Sequence, residues 1–185
     1  MKQNILFIVG SLRKQSFNRQ LAALAEGMLA DQFNIQYLVF EDVPLMNQDL
    51  EAETPAPVAR VRKEILAADG IWIFTPEYNF SYPGLLKNLL DWLSRPMDMS
   101  DFSNPSAVVG KKVTVSGAGG KNQTASCRAK LNELLEFIRM QVMKEPQTGI
   151  ALGVEAWTKG EFALTGEQMA MLKAQAEHFA AFVNA

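Results

Sequence analysis

Two runs in this chain, NILFIV at 4–9 and GIWIFT at 70–75, are apolar at nearly every position instead of every second one. A strand with that pattern is covered on both faces, as in a parallel sheet buried between layers of helices. Each run leads into a polar loop and then a stretch whose apolar residues recur every three or four positions, the helical period. Strands are therefore predicted at 4–9, 35–39, 70–75 and 112–116, with a weaker one at 148–152, and helices at 16–30, 58–68, 83–94, 124–142 and 166–184. That alternation predicts an α/β, doubly wound, three-layer fold around a parallel sheet. Helix-end chemistry agrees: Thr165 and Gln168 have the spacing of a capping box, and Pro83 stands where a missing N–H is harmless.

No repeat, low-complexity tract or long linker divides the 185 residues, so one domain, 1–185, is expected. The formal charge of −2 leaves no broad basic field for nucleic acid or an anionic membrane, and any anion must be held locally. No apolar run approaches the roughly 20 residues of a membrane span. The N-terminal apolar run is too short for a signal peptide, so a cytoplasmic protein is expected. The single cysteine, Cys127, excludes an internal disulfide and every multi-cysteine metal motif.

In an open parallel sheet, ligands bind at the carboxyl ends of the strands, beside the point where strand order reverses. Three polar loops fall there: GSLRKQSFN at 10–18, TPEYNFSYPG at 75–84 and SGAGGKNQT at 116–124. The first opens a helix, whose unpaired N–H groups and dipole favour an anion. Ser11, Ser16 and Asn18 can donate to it, and Arg13 adds charge. The plainer alternative is that Ser16 only caps the helix and Arg13 is solvated. The second loop sets Tyr78, Phe80 and Tyr82 among amides, which suits a planar ring with polar edges or, alternatively, packing against a neighbouring subunit. Glycines of the third loop permit close backbone approach to a flat ligand, or simply make a turn.

Neither G-x-x-x-x-G-K-[ST] nor G-x-G-x-x-G occurs, since Asn122 stands at the third glycine position of GAGGKN, so an ATPase or a dinucleotide-binding fold is disfavoured. His178, the only histidine, lies in the last helix among phenylalanines, and Cys127 reads as a buried, inert thiol. No acid, base, nucleophile or metal-ligand cluster is evident, so no metal is expected. Chemistry at these loops requires a cofactor that carries it.

With GSLRKQSFNR at 10–19, VPLMNQDLE at 43–51, TPEYNFSYPGLLKNLLDWLSRP at 75–96 and SGAGG at 116–120, the chain resembles the NADPH-dependent FMN reductase family over roughly residues 3–155. This family of flavodoxin-like quinone, azo-dye and chromate reductases has a five-stranded parallel sheet of order 2-1-3-4-5, with FMN at the switch point between strands one and three. The resemblance implies that Ser11, Arg13, Ser16 and Asn18 hold the FMN phosphate. It places Pro76, Glu77, Tyr78, Asn79 and Ser81 along the isoalloxazine, and Ser116, Gly117 and Gly120 on its other side. It implies a homodimer or homotetramer, with Trp92 and Arg95 at the interface. The implied activity is ping-pong, two-electron transfer from NADPH or NADH to a small-molecule acceptor such as a quinone, an azo compound or free flavin. The flavin performs the chemistry, and Tyr78 and Asn79 position substrate. The alternatives are a flavodoxin-type one-electron carrier, for which −2 is too nearly neutral, and a non-catalytic flavin sensor. Gln15 stands where the family usually has glycine, and the GKNQT segment departs from the chromate-reducing members.

Overall fold

A computed structural model describes residues 2–101, 103–160 and 162–185. Strands β1 (Asn4–Val9), β2 (Asn34–Tyr37), β3 (Gly70–Phe74), β4 (Lys112–Gly119), β5 (Gln141–Val142) and β6 (Gly149–Ala151) form one sheet. Its order is β2-β1-β3-β4-β5, every pairing is parallel, and β6 pairs with the far end of β4. The edge position is thus filled twice: Lys112 and Val113 face β5, whereas Gly117 to Gly119 face β6.

Helices α1 (Phe17–Leu29) and α6 (Gly166–Asn184) cover one face, and α2 (Ala56–Ala67), α3 (Gly84–Leu93) and α4 (Ala125–Phe137) cover the other. A short α5 (Val154–Lys159), unanticipated from the sequence, follows β6. The continuous apolar runs are explained by this layering: Ile5, Phe7, Trp72 and Phe74 pack under α1 and α6, while Leu6, Ile8, Ile71 and Ile73 pack under α2 and α3. α6 is fastened by a buried polar knot. Gln175 donates to the Thr114 hydroxyl (2.9 Å) and the Val115 carbonyl (3.0 Å), and accepts from Ser116 Oγ (2.7 Å) and the Thr148 N–H (2.6 Å). The capping box at Thr165 and Gln168 is present as expected.

Two expectations are corrected. The fourth helix does not run to residue 142: it stops at Phe137, Arg139 takes a left-handed φ of 67°, and the chain enters β5. The usual helix-stop glycine is absent there, so the local signal was missing. Trp92 is not at a surface available to a partner. It is fully buried and donates Nε1 to the Pro44 carbonyl at 2.8 Å, while Arg95 pairs with Glu51 inside the same chain. The expected surface excursion at 97–106, which includes Phe102 outside the described residues, is pinched at its base by a bridge between Pro96 and Ser106.

Candidate flavin site

At the carboxyl end of the sheet, the loops after β1, β3 and β4 meet in a cleft of about 160 Å³. It is lined by Ser11, Arg13, Ser16, Phe17 and Asn18 from the first loop, Pro76, Glu77 and Tyr78 from the second, and Ala118, Gly119 and Gly120 from the third; Leu152 and Trp157 close it. β1 and β3 are neighbours in the sheet but their crossovers run in opposite directions, which opens the crevice between these loops.

The first loop gathers hydrogen-bond donors at the start of α1. Ser16 is the N-cap of α1, its Oγ accepting the Arg19 N–H at 3.3 Å, which leaves the hydroxyl proton to donate elsewhere. The N–H groups of Phe17 and Asn18 find no acceptor among the described residues. The Arg13 guanidinium lies over the Phe17 ring, 4.6 Å from its centroid, and pairs with no carboxylate among the described residues. Asn18 is committed differently from a simple phosphate donor: its amide accepts the Ala118 N–H (2.8 Å) and donates to the Ala118 carbonyl (3.1 Å). It therefore ties α1 to the end of β4, with one amide hydrogen left over.

The second loop turns tightly. Tyr78 and Ser81 exchange backbone hydrogen bonds at 2.9 and 3.0 Å around Asn79 and Phe80, both with positive φ (52° and 58°). Such paired left-handed residues make a two-residue hairpin turn, strained at a phenylalanine. The turn leaves Tyr78 54% exposed at the cleft rim and Phe80 65% exposed beyond it. Glu77 looks like an acid available to substrate, yet its carboxylate accepts the Cys127 N–H (2.8 Å) and the Asn122 amide (3.0 Å). It caps α4, whose own N-cap residue, Thr124, makes no side-chain cap.

The third loop is reshaped because β4 continues to Gly119. Ser116 lies in the core, accepting from Trp72 Nε1 at 3.0 Å, and the Gly117 N–H is bonded to the Thr148 carbonyl. A Cβ on Gly117 would stand 2.5 Å from the Thr75 carbonyl oxygen, so this glycine permits packing of β4 against the second loop. Gly120 does line the cleft, with nothing within 4 Å of where a Cβ would stand. The cleft thus gathers Ser11, Arg13, Ser16, Asn18, Pro76, Glu77, Tyr78 and Gly120, while Asn79, Ser81, Ser116 and Gly117 support it from outside. Sequence reasoning passed over Phe17, Leu152 and Trp157, since apolar residues at helical spacing carry no binding signal of their own.

Beneath the cleft, Cys127 is fully buried and its thiol faces the Pro76 carbonyl at 3.5 Å. Burial pushes its pKa up to about 11; the Thr75 hydroxyl opposes that, and Glu77 adds a smaller push upwards. It is a packing group and not a nucleophile. No cluster of three or more His, Cys, Asp or Glu side chains suited to a metal occurs among the described residues.

A doubly wound sheet with a donor-rich first loop facing an aromatic loop across the switch point defines a flavodoxin-like nucleotide-binding protein. The chain belongs to the NADPH-dependent FMN reductase family, whose model matches residues 3–155. A quinone reductase of Pseudomonas putida is 33% identical over 183 residues, covering 98% of this chain and 95% of the relative. A 2-hydroxy-1,4-benzoquinone reductase of Burkholderia sp is 36% identical over 148 residues, 80% of this chain and 78% of that one. Among solved structures, the flavoenzyme NAD(P)H:(acceptor) oxidoreductase FerB of Paracoccus denitrificans superposes with a TM-score of 0.85 at 28% identity, covering 98% of this chain and 97% of its own. The protein is an NAD(P)H-dependent flavin oxidoreductase with FMN as cofactor.

The residues present fit that cofactor. Two helix N–H groups without acceptors among the described residues, two serine hydroxyls and an arginine without a carboxylate partner among them line the cleft together. Gly120 lines the cleft with open space around the position a Cβ would take. The enclosed volume is too small for a whole flavin nucleotide, since ligand pockets typically span about 300–1,000 Å³. No helix among the described residues is long and apolar enough to cross a membrane.

Proposed function

We propose that this protein is a cytoplasmic two-electron reductase that oxidises NADPH or NADH and then, in a separate half-reaction at the same open face, reduces a quinone or a similar electron-poor acceptor such as an azo compound or free flavin. FMN, when bound, supplies hydride acceptance and donation. The observation that carries the reading is the division of labour in the cleft. Among the described residues its one lining carboxylate, Glu77, is consumed in capping α4, so no lining carboxylate is left to act as an acid or base and the side chains bind and orient.

Ser11, Arg13, Ser16 and the first turn of α1 hold the phosphate, with Asn18 bracing α1 against Ala118. Pro76, Glu77 and Gly120 lend the backbone edge along which the ring lies; the N–H groups of Glu77 and Gly120 find no acceptor among the described residues. Such donors stabilise charge that develops on a reduced ring. Tyr78, exposed at the rim, positions the nicotinamide and then the acceptor, with Asn79 and Ser81 shaping its turn. Two relatives named for quinone reduction support the acceptor class. We also place the chain in a homodimer or homotetramer, supported by the exposed Phe80 (65%) and Leu45 (82%); light scattering on the purified protein tests this.

The test of the activity is anaerobic mixing of the FMN-loaded protein with NADPH, followed by addition of benzoquinone. Bleaching of the visible flavin spectrum and its return on adding quinone are expected, with parallel double-reciprocal plots for the two substrates. Failure to bleach overturns the reductase reading; intersecting plots overturn the two separate half-reactions.

A further inference from the structure

The family match ends at residue 155, two residues short of a side chain that closes the phosphate end of the cleft. Trp157 sits on α5, a six-residue helix between Gly153 and Gly160, the latter with φ +74°. Only Ala156 of this helix is buried, and Trp157 is 61% exposed. Its ring nevertheless meets Phe17 edge-on at 6.0 Å, and Phe17 stacks on Phe162 at 5.9 Å. The other partner of the Phe17 ring is the Arg13 guanidinium. Phe17 is thus gripped by two aromatic rings and serves as the platform for Arg13, a cation of the cleft lining.

On its far side, α5 borders a second space of about 220 Å³, lined by Leu152, Glu155, Ala156 and Phe162. The helix is therefore lightly packed from behind, and its exposed tryptophan surface looks into the cleft. A ligand there would cover that surface, supplying the contact that α5 lacks.

We propose that Trp157 is a positioning residue that makes the site discriminate in favour of a phosphorylated flavin. It holds Phe17, which pre-orients Arg13, and it shields the phosphate from water. Pre-orientation lowers the rotamer entropy lost when the guanidinium engages the phosphate, and exclusion of water strengthens the charge contact. The proposal rests on FMN being the cofactor, and its consequence lies in the ratio of affinities for FMN and riboflavin, two ligands with the same ring.

The experiment titrates flavin-free protein with FMN and, separately, riboflavin, for the native chain, Trp157→Ala and Trp157→Phe. Thermal midpoints establish that each variant is folded. Expected is a loss of tenfold or more in FMN affinity for Trp157→Ala, less than twofold for riboflavin, and recovery of most of the FMN affinity in Trp157→Phe. A second readout needs no variant: Trp72 and Trp92 are fully buried, so acrylamide quenching of tryptophan lifetimes reports Trp157, and FMN should protect it more than riboflavin does. Equal losses for both ligands, unchanged FMN affinity in Trp157→Ala, or no difference in protection overturns the proposal. Native protein that takes up neither flavin overturns the cofactor assignment and the proposal with it.

Discussion

The Glu77 carboxylate accepts the Cys127 N–H at 2.8 Å, so a residue of the loop after β3 caps the helix that follows β4. A carboxylate at a helix N-terminus also meets the positive end of the helix dipole. This one contact locks together two of the three loops that form the cleft. Glu77→Ala should lower unfolding free energy by about 1–2 kcal/mol and speed FMN release. Glu77→Gln keeps an acceptor without the charge and should recover part of both. Urea unfolding and flavin dissociation kinetics check this; an unchanged urea midpoint in Glu77→Ala would refute the capping role.

Two glycines of the third loop should respond oppositely to the same substitution. Gly117→Ala forces a methyl group against the Thr75 carbonyl and Thr124, and should destabilise the fold by about 1–3 kcal/mol. Gly120→Ala meets nothing, and should leave the thermal midpoint in place while weakening FMN by intruding on the cleft. Thermal melts of the flavin-free variants, compared with flavin titrations, separate the two.

Arg13→Ala should weaken FMN about 10- to 100-fold, the scale of one hydrogen-bonded charge contact of ~1.5–3 kcal/mol. Riboflavin, lacking the phosphate, should be held as before. Equal losses for the two ligands would remove Arg13 from the phosphate end.

Gln175 serves four partners in a fully buried knot. Gln175→Ala leaves the Thr148 N–H and the Ser116 hydroxyl proton without their acceptor in the buried knot, and should cost about 2–4 kcal/mol. Denaturant unfolding measures the loss, and a change of less than half that size would mean the knot relaxes around the gap.

Alkaline stability should fall. The Cys127 thiol has its pKa pushed up to about 11 in the fold, mainly by burial, against 9.0 for the free group. The unfolded chain therefore ionises first, so this group's contribution is intact below about pH 9 and is lost as pH rises through 11, on the order of 2 kcal/mol. Tyr37, raised by burial and by its hydrogen bond to Glu26, acts in the same direction. Unfolding curves from pH 7 to 11 for the native chain and Cys127→Ala isolate the thiol: the variant should be less stable at pH 7 and show a shallower alkaline loss. Identical slopes would refute the assignment.

The sheet was legible because continuous apolar runs such as ILFIV report burial on both faces, and the three site loops were legible because they follow those runs. The end of α4 was not, since Arg139 occupies the left-handed stop position that a glycine usually marks. The extension of β4 to Gly119 was hidden for a related reason: its glycines resemble a loop, and only β6 beside them makes a strand. Along that extension Ser116 and Ala118, two residues apart, share the face towards α1 and α6: Ser116 meets Trp72 and Gln175, while the Ala118 backbone is held by the Asn18 amide.

By itself, the sequence determined the α/β alternation, the loops at the carboxyl ends of the strands and the donor-rich entry to α1, all written in local periodicity and turn chemistry. Tertiary structure decided which donors remain free. Asn18 and Glu77 are chemically fit to touch a ligand, yet Ala118 and the α4 N-terminus claim them; Trp157, unremarkable in sequence, reaches the cleft only because β6 delivers α5 beside Phe17. The physical reason is that a polar side chain's availability depends on whether distant backbone groups need it, and that is settled by packing.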